Sequence, residues 1–200
     1  MTTPKLTLVS SSPKLEERDD DALMLLAGAG HRDAFAVLVR RHMKKLENLC
    51  ARLLGDTVAG QELAQETWLQ VSAARERYQA GGQFRIYLYT VARNRCRNQL
   101  RDRWRAKRWL GSEPPPIDVP DPAGADHLDA LIESERRRGV NAAIAQLPRA
   151  LREALVFRFS EGLDYADIAR IVGRTESAAR SRVYLAMERL RQQLARKVKP

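Results

Sequence analysis

Thr175, Ser177, Arg180, Ser181, Arg182 and Tyr184 lie within one short stretch near the end of the chain. Hydroxyls and guanidiniums are the side-chain groups that hydrogen-bond to phosphates and base edges. Before them runs Asp164 to Val172, whose spacing predicts a short amphipathic helix with Ile168, Ala169 and Val172 on one face. Gly173 supplies the left-handed residue that closes such a helix. Thr175 is the expected N-cap of the next one, with Ser177 as a second option. That helix is expected to run to about Leu190, with Ala179, Val183, Ala186 and Leu190 as its buried stripe. Ser177, Ser181, Tyr184 and Glu188 then face outward, with Arg180 and Arg191 beside them. A short helix, a tight turn and a longer helix with a polar, basic outer face form a helix-turn-helix, the device that seats a helix in the DNA major groove. A plain αα-hairpin would leave Arg170, Arg174, Arg180 and Arg182 crowded at the turn without a use.

A second basic group runs from Arg93 through Arg95, Arg97, Arg101, Arg103 and Arg105 to Lys107 and Arg108, opposed locally only by Asp102. On a helix these bases cover more than one face, and they are not all expected to pair within the chain. Phosphate contact is their natural use, a solvated basic helix end the plainer one. Tyr78, Phe84, Tyr87, Tyr89, Trp104 and Trp109 surround the same region, beside a Gly81-Gly82 loop. Aromatics interleaved with arginine suit stacking on unpaired bases, although Phe84 and Tyr87 are also expected to serve the core. The 200 residues carry a net charge of +10, which suits a polyanionic partner.

No catalytic constellation is visible. His31, His42 and His127 are scattered, and His42 falls on an apolar stripe as a core histidine. Cys50 and Cys96 lack metal-ligand spacing and read as small core residues or bystanders, without a disulfide. No phosphate loop or dinucleotide fingerprint occurs. The expectation is a non-enzyme with no metal and no cofactor. No apolar run approaches the ~20 residues of a membrane helix, and Met1 to Arg18 has no signal-type apolar core, so a cytoplasmic location is expected.

The elements that must position these groups are all helical, and no β-strand pattern appears. Residues 1–18, rich in Thr, Ser, Pro and Lys, are expected as a disordered tail. A first helix is expected over Asp19 to Ala27. Asp33 is expected to cap the next, which buries Phe35, Leu38, Val39, His42, Leu46, Leu49 and Leu53 and ends at Gly55-Asp56. A third runs from about Val58 to Ala74, burying some of Leu63, Thr67, Trp68 and Val71, and a fourth from near Phe84 to Arg108. From Gly111 to Glu135 the chain holds Pro114, Pro115, Pro116, Pro120 and Pro122. It also holds seven acids (Glu113, Asp118, Asp121, Asp126, Asp129, Glu133, Glu135) and no Lys or Arg. Prolines at this density block helix, so a linker over 111–127 is expected between two small helical domains, 19–110 and 128–196. In the second domain Val140, Ala143, Ile144 and Leu147 precede Pro148. Leu151, Ala154, Leu155 and Phe157 are buried on a helix from Arg149 to Ser160, closed by Glu161-Gly162. The fold class is all-α.

Three motifs now carry a resemblance. Glu62-Leu63-Ala64-Gln65-Glu66-Thr67-Trp68 is similar to the Asp-Leu-Val-Gln-Glu-Thr-Phe signature of bacterial sigma factors of the extracytoplasmic-function group. The stretch from Phe84 through Leu88-Tyr89 to Ala92-Arg93-Asn94 is similar to their Phe-Arg-x-Trp-Leu-Tyr-x-Ile-Ala-Arg-Asn, and Ala179-Arg180-Ser181-Arg182 to Val-Lys-Ser-Arg of their recognition helix. The first domain resembles region 2 of that family and the second region 4, covering nearly all of Asp19 to Leu194.

The resemblance implies roles. Glu62, Gln65, Glu66 and Leu69 map to the helix that binds the coiled coil of the largest subunit of core RNA polymerase, and the flap of the polymerase is a further implied contact. Exposed acids beside an apolar side chain suit steering and register on a basic partner. The loop from Ala74 to Gln83 maps to the one that captures a flipped base of the −10 element, with Tyr78, Gln79 and Gln83 as contributors. Arg93, Asn94, Arg97, Asn98 and Arg101 map to the helix on the −10 strand and its upstream phosphates. Thr175, Ser177, Arg180, Ser181, Arg182 and Tyr184 map to −35 duplex readout. An anti-sigma factor is a further implied partner, since family members are commonly held by one. The acidic linker maps to the RNA-exit path, where its charge either mimics RNA or serves a solvated spacer.

The chain departs from the pattern at Gly60 and Gln61, where Ala and Glu are usual, and a mid-helix glycine costs roughly 1 kcal/mol. Tyr87 replaces Trp, Asn98 replaces Asp, Ala178 replaces Thr, and Leu185 stands, facing outward, where Arg is usual. Two other classes compete. An operator-binding regulator shares the helix-turn-helix but has no need of Glu62, Gln65 and Glu66. A non-initiating polymerase-interaction protein has no need of the aromatic and arginine set from Tyr78 to Arg101.

Overall fold

A computed structural model describes residues 13–81, 83–110 and 139–198, with side chains over 15–81, 83–106 and 139–195. Among them the regular structure is helical: α1 (Pro13–Glu16), α2 (Asp20–Gly28), α3 (Arg32–Leu54), α4 (Thr57–Ala74), a 3₁₀ turn (Arg75–Arg77), α5 (Phe84–Leu110), α6 (helical over 139–146), α7 (Arg149–Phe159), α8 (Tyr165–Val172) and α9 (Glu176–Val198). The linker expected over 111–127 and the first residues of 1–18 lie outside the described residues.

The helix ends follow from local chemistry. Asp19 accepts the Ala22 N–H at 2.7 Å, Asp56 that of Ala59 at 3.0 Å, and Asp164 that of Asp167 at 2.7 Å, each satisfying a donor that a first turn leaves free. Gly55 and Gly173 close α3 and α8 with φ of 71° and 64°, conformations that a Cβ would strain. Asp33 is not the cap of α3. The helix starts one residue earlier, from the extended His31, and Asp33 lies inside the first turn, where its charge meets the positive helix end.

Residues 13–18 also differ from the expected tail. Pro13–Glu16 form a helical turn that packs on α3. Arg40 pairs with the Glu16 carboxylate, while Arg41 donates to the carbonyls of Glu16 and Arg18, the latter at 2.8 Å, and to Asp20 at 2.8 Å. Guanidiniums from a helix more than twenty residues away organise this segment, and composition does not reveal such a partner.

α3 is the central helix of the first unit. It buries Ala34, Val37, Leu38, Leu46, Leu49, Cys50 and Leu53, with Phe35 and Val39 half-buried at the edge of the stripe. Trp68 of α4 meets Phe35 edge-on at 5.6 Å, and Phe84 of α5 lies 6.3 Å from Trp68. His42 is buried on this stripe, and its Nε2 lies 2.7 Å from Asp20 on α2. The cysteines are free and buried, as expected, and the Cys96 thiol is pushed up by its hydrogen bond to Cys50 and by burial.

The second unit packs α7 and α8 against α9, burying Leu147, Leu151, Leu155 and Ala186 in one cluster and Ile168, Ile171, Val172 and Ala179 in another. α9 continues past the expected end at Leu190 to Val198. The core does not stop at the boundary between the units. Val156, Phe157, Leu163 and Ile168 belong to the same cluster as Leu49, Leu88 and Tyr89 of the first unit.

Gly60 has a packing reason that outweighs its low helix propensity. A Cβ there would stand 2.5 Å from the Ala51 backbone nitrogen and 2.6 Å from its Cα, so the glycine sets how closely α3 and α4 approach. Gly60→Ala is expected to lower stability by about 1–3 kcal/mol despite the better helix former, read as a fall in thermal midpoint by circular dichroism. A second expectation concerns acid. The hydrogen bond from His42, opposed by burial and aided by Arg41, holds the Asp20 carboxyl below its ordinary value of 3.8. A depressed folded pKa gives stability that is complete above the ordinary value and is lost as pH falls through the lowered one. Acid unfolding curves of Asp20→Asn are therefore expected to lose part of the parent's steepness in that range.

Candidate nucleic-acid and partner surfaces

Three surfaces carry the groups that the sequence singled out. The first is a face of α4. Glu62, Gln65, Glu66 and Leu69 are exposed at spacings of three, one and three, which aligns them along one side of a helix. Leu69 is 71% exposed, a large apolar side chain left in water amid acids. Opposite it, Leu63, Ala64, Thr67, Trp68 and Val71 face the core. Glu66 pairs with Arg95 of α5, whose guanidinium also reaches the Gln70 amide oxygen at 3.1 Å. That pair ties the exposed face of α4 to the neighbouring helix.

The second surface surrounds the start of α5. Ala74, Arg77, Tyr78, Gln79, Gly81, Gln83, Ile86, Tyr87 and Thr90 line a cleft of about 530 Å³. Tyr78, Gln79 and Gln83, singled out from the sequence, are thus brought together. Tyr78 lies 5.3 Å from Tyr87 and 6.0 Å from Phe84, so one wall of the cleft is aromatic. Burial raises the Tyr87 hydroxyl pKa, and burial with the Asp21 carboxylate raises that of Tyr78, so both remain hydrogen-bond donors. Further along α5, Asn94, Arg97, Asn98 and Arg101 line a second cleft of about 370 Å³, joined by Arg149 from α7. These polar and cationic groups converge on one cleft.

Arg93 is not part of that surface. It is 7% exposed; its Nε donates to Glu153 of α7 at 2.7 Å, and an Nη to the Ile171 carbonyl of α8 at 3.2 Å. A buried guanidinium needs such partners, because desolvating it without them is too costly. Tyr89 is likewise buried: its hydroxyl donates to Glu161 at 2.6 Å and its ring stacks on Phe157 at 6.2 Å. Burial and Glu161 together raise its pKa. The basic run is paired more fully than expected. Arg95 holds Glu66, Arg103 holds Asp56 at 3.1 Å, and Arg101 and Arg105 share Asp102. Glu66 and Asp56 lie on other elements, out of view of a local charge count, whereas Asp102 is the one acid within the run. Trp104 stays 75% exposed on α5, while the side chain of Trp109 lies outside the described residues.

The third surface is α9. Thr175 accepts the Ala178 N–H at 3.2 Å and caps the helix as expected. Ser177, Arg180, Ser181, Tyr184 and Leu185 are exposed and Arg182 is half-buried, while Ala179, Val183 and Ala186 face inward. Arg180 is held in place: its guanidinium pairs with Glu176 at 3.1 Å and lies 4.9 Å from the Tyr165 ring, against which Arg158 also lies at 4.9 Å.

Two residues with evident roles escaped sequence reasoning. Asp21 accepts from the Tyr78 hydroxyl at 2.7 Å, the Gly81 N–H at 3.2 Å and the Phe84 N–H at 3.1 Å. Glu153 receives Arg93 and, at 3.5 Å, Arg149. Both partnerships join residues about sixty positions apart, and neither an acid within a run at a helix start nor a single acid on a mostly apolar helix gives a local sign of them.

Among the described residues no helix is long and apolar enough to cross a membrane, and no cluster of ligating side chains able to hold a metal occurs. Comparison with known proteins gives a consistent result. The family model for Sigma-70 region 2 matches residues 38–106, and that for Sigma-70, region 4 matches residues 137–190. RNA polymerase sigma-H factor of Pseudomonas aeruginosa is 31% identical over 186 residues, spanning 87% of this chain and 93% of that protein. RNA polymerase sigma factor CarQ of Myxococcus xanthus is 32% identical over 165 residues, spanning 82% and 91%. Escherichia coli ECF RNA polymerase sigma-E factor is 28% identical over 188 residues, spanning 86% and 93%. In fold, the chain is similar to the sigma factor RpoE solved with the anti-sigma factor NepR from Bartonella quintana, with a TM-score of 0.68, 24% identity, and 83% and 98% of the two chains covered. It is also similar to CnrH solved with the cytosolic domain of CnrY, at a TM-score of 0.65, 21% identity, and 88% and 97% covered.

Removing Glu153 leaves the Arg93 guanidinium without its carboxylate, a change that costs about 3–5 kcal/mol when the site stays buried. The strain is relieved if the second unit moves off the first. Glu153→Ala is therefore expected to accelerate amide hydrogen exchange across α7 and α8, with protection in α3 and α4 unchanged.

Proposed function

Because the chain belongs to the extracytoplasmic-function group of RNA polymerase sigma factors, whose members direct promoter-dependent transcription initiation, we propose that it recognises a −35 duplex with α9 and captures and melts the −10 element with the clefts along α5. The observation that carries this reading is the cleft beside the start of α5. It has an aromatic wall, amide and hydroxyl groups at its mouth, and a line of asparagines and arginines leading away along the same helix. An unpaired base needs a stacking surface and polar groups for its edge, and its flanking phosphates need cations.

The roles follow from this geometry. Glu62, Gln65, Glu66 and Leu69 bind core polymerase, with the acids giving register on a basic helix and Leu69 filling an apolar contact. Tyr78, Gln79 and Gln83 receive the flipped base. Asn94, Arg97, Asn98 and Arg101 hold the strand and its phosphates. Arg93 takes no part while Glu153 holds it, and becomes available only if the second unit departs. Thr175, Ser177, Arg180, Ser181, Arg182 and Tyr184 read the −35 groove, and Leu185 gives up a phosphate contact where it faces outward. Polymerisation chemistry belongs to the polymerase. The region 2 unit is 19–110 and the region 4 unit 128–196. An anti-sigma factor is the natural further partner, the kind of protein with which RpoE, similar in fold, was solved.

Transcription from a genomic-fragment library by core polymerase lacking any sigma tests the reading. Starts that appear only with this protein support it, and binding of duplex DNA without starts favours an operator-binding regulator. Glu66→Lys is expected to weaken association with core polymerase, read by fluorescence anisotropy. Arg180→Ala is expected to leave that association intact and to lower discrimination at one −35 position by about 1–3 kcal/mol.

A further inference from the structure

We propose that Asp21 is a positioning residue for −10 base capture, holding the loop between α4 and α5 in its receiving shape. The proposal rests on the reading of the α5 cleft given above. Asp21 lies on α2, which contributes no lining residue to that cleft, yet both its carboxylate oxygens are committed to the loop. Oδ1 accepts from the Tyr78 hydroxyl at 2.7 Å and the Gly81 N–H at 3.2 Å, and Oδ2 from the Phe84 N–H at 3.1 Å. These donors mark the beginning, the middle and the end of the segment that forms the mouth of the cleft. Phe84 is the first residue of α5, so its N–H has no partner within the helix, and a carboxylate there also meets the positive helix end.

Two lining residues are set by this one carboxylate. The Tyr78 ring is oriented by its hydroxyl against Tyr87, and Gly81 is drawn toward α2. The loop is otherwise poorly supported: Gln79, Ala80, Gly81 and Gln83 are exposed. Burial pushes the Asp21 carboxyl up, but the hydrogen bonds from Tyr78, Phe84 and Gly81 outweigh it and hold the group below its ordinary value, so it is an anion at neutral pH. A receiving surface fixed in advance spares the ordering that a flexible loop undergoes on capture.

The test uses full-length protein with core polymerase and promoter fragments from which the parent initiates. Initiation is measured on templates substituted singly across the −10 element, together with permanganate reactivity of unpaired thymines. The parent is expected to discriminate at one −10 position through the cleft, and Tyr78→Ala to abolish that discrimination. Asp21→Ala is expected to reduce discrimination at that same position by about tenfold, the equivalent of one or two net hydrogen bonds, with core association and −35 discrimination unchanged. Tyr78→Phe, which keeps the ring and deletes only the hydroxyl that reaches Asp21, is expected to move the same position in the same direction by less. A merely structural role of Asp21 would lower initiation evenly on all templates, and that result overturns the proposal. Discrimination lost with Tyr78→Ala but kept with both Asp21→Asn and Asp21→Ala overturns it while leaving the cleft reading intact. Discrimination unaffected by Tyr78→Ala removes the cleft reading and the proposal together.

Discussion

The relation between the two helical units depends on the charge of Arg93. A guanidinium with 7% exposure persists only where its desolvation is offset by a carboxylate and further acceptors. Glu153, itself 3% exposed, and the Ile171 carbonyl supply these from two helices of the other unit. Around that pair the apolar core becomes continuous, Tyr89 stacks on Phe157, and Arg152 of α7 donates to the Leu53 carbonyl at the end of α3 at 3.0 Å. The residues that join the units sit on the helix that carries the candidate −10 surface. Packing between the units and access to that helix are therefore coupled, with Arg93 as the buried charge among the groups that join them.

The basic character of α5 has a structural share and a functional share. Arg93, Arg95 and Arg103 are committed to carboxylates on α7, α4 and the α3–α4 turn, and these pairs brace the helix against its neighbours. Asn94, Arg97, Asn98 and Arg101 remain along a solvent-facing cleft. A helix that must be both a packing centre and a polyanion surface divides its arginines by face, and the periodicity of 3.6 residues decides which go where. The same division operates on α4, where one side meets α3 so closely that only Gly60 fits and the other leaves Leu69 in water among acids.

A similar economy holds at the start of α2. Asp19 caps its own helix, Asp20 receives Arg41 and His42 from α3, and Asp21 receives the loop before α5. Three successive acids that resemble an undifferentiated charged helix start are each directed at a different partner, because adjacent positions on a helix point about 100° apart. Local geometry thus distributes one acidic run among a cap, a core histidine and the loop before α5.

The sequence by itself determined what depends on neighbours within a turn or two. The α8–turn–α9 motif, with Asp164, Gly173 and Thr175 at its junctions, was readable because caps and left-handed glycines are set by the residues beside them. The buried stripe of α3 and the core placement of His42 were readable because periodicity assigns a face, while the exposed row on α4 came from the family resemblance. The family resemblance located the cleft residues Tyr78, Gln79 and Gln83 because it fixes their order in the chain. Only the tertiary structure decided which arginines are spent internally, since Glu153 lies sixty positions from Arg93 and Glu66 twenty-nine from Arg95. It alone showed why Gly60 is a glycine, why residues 13–18 are held, and which groups Asp21 binds. Each of these is a contact between elements that the chain brings together only by folding, and pairwise electrostatics and steric fit leave no periodic trace in one dimension.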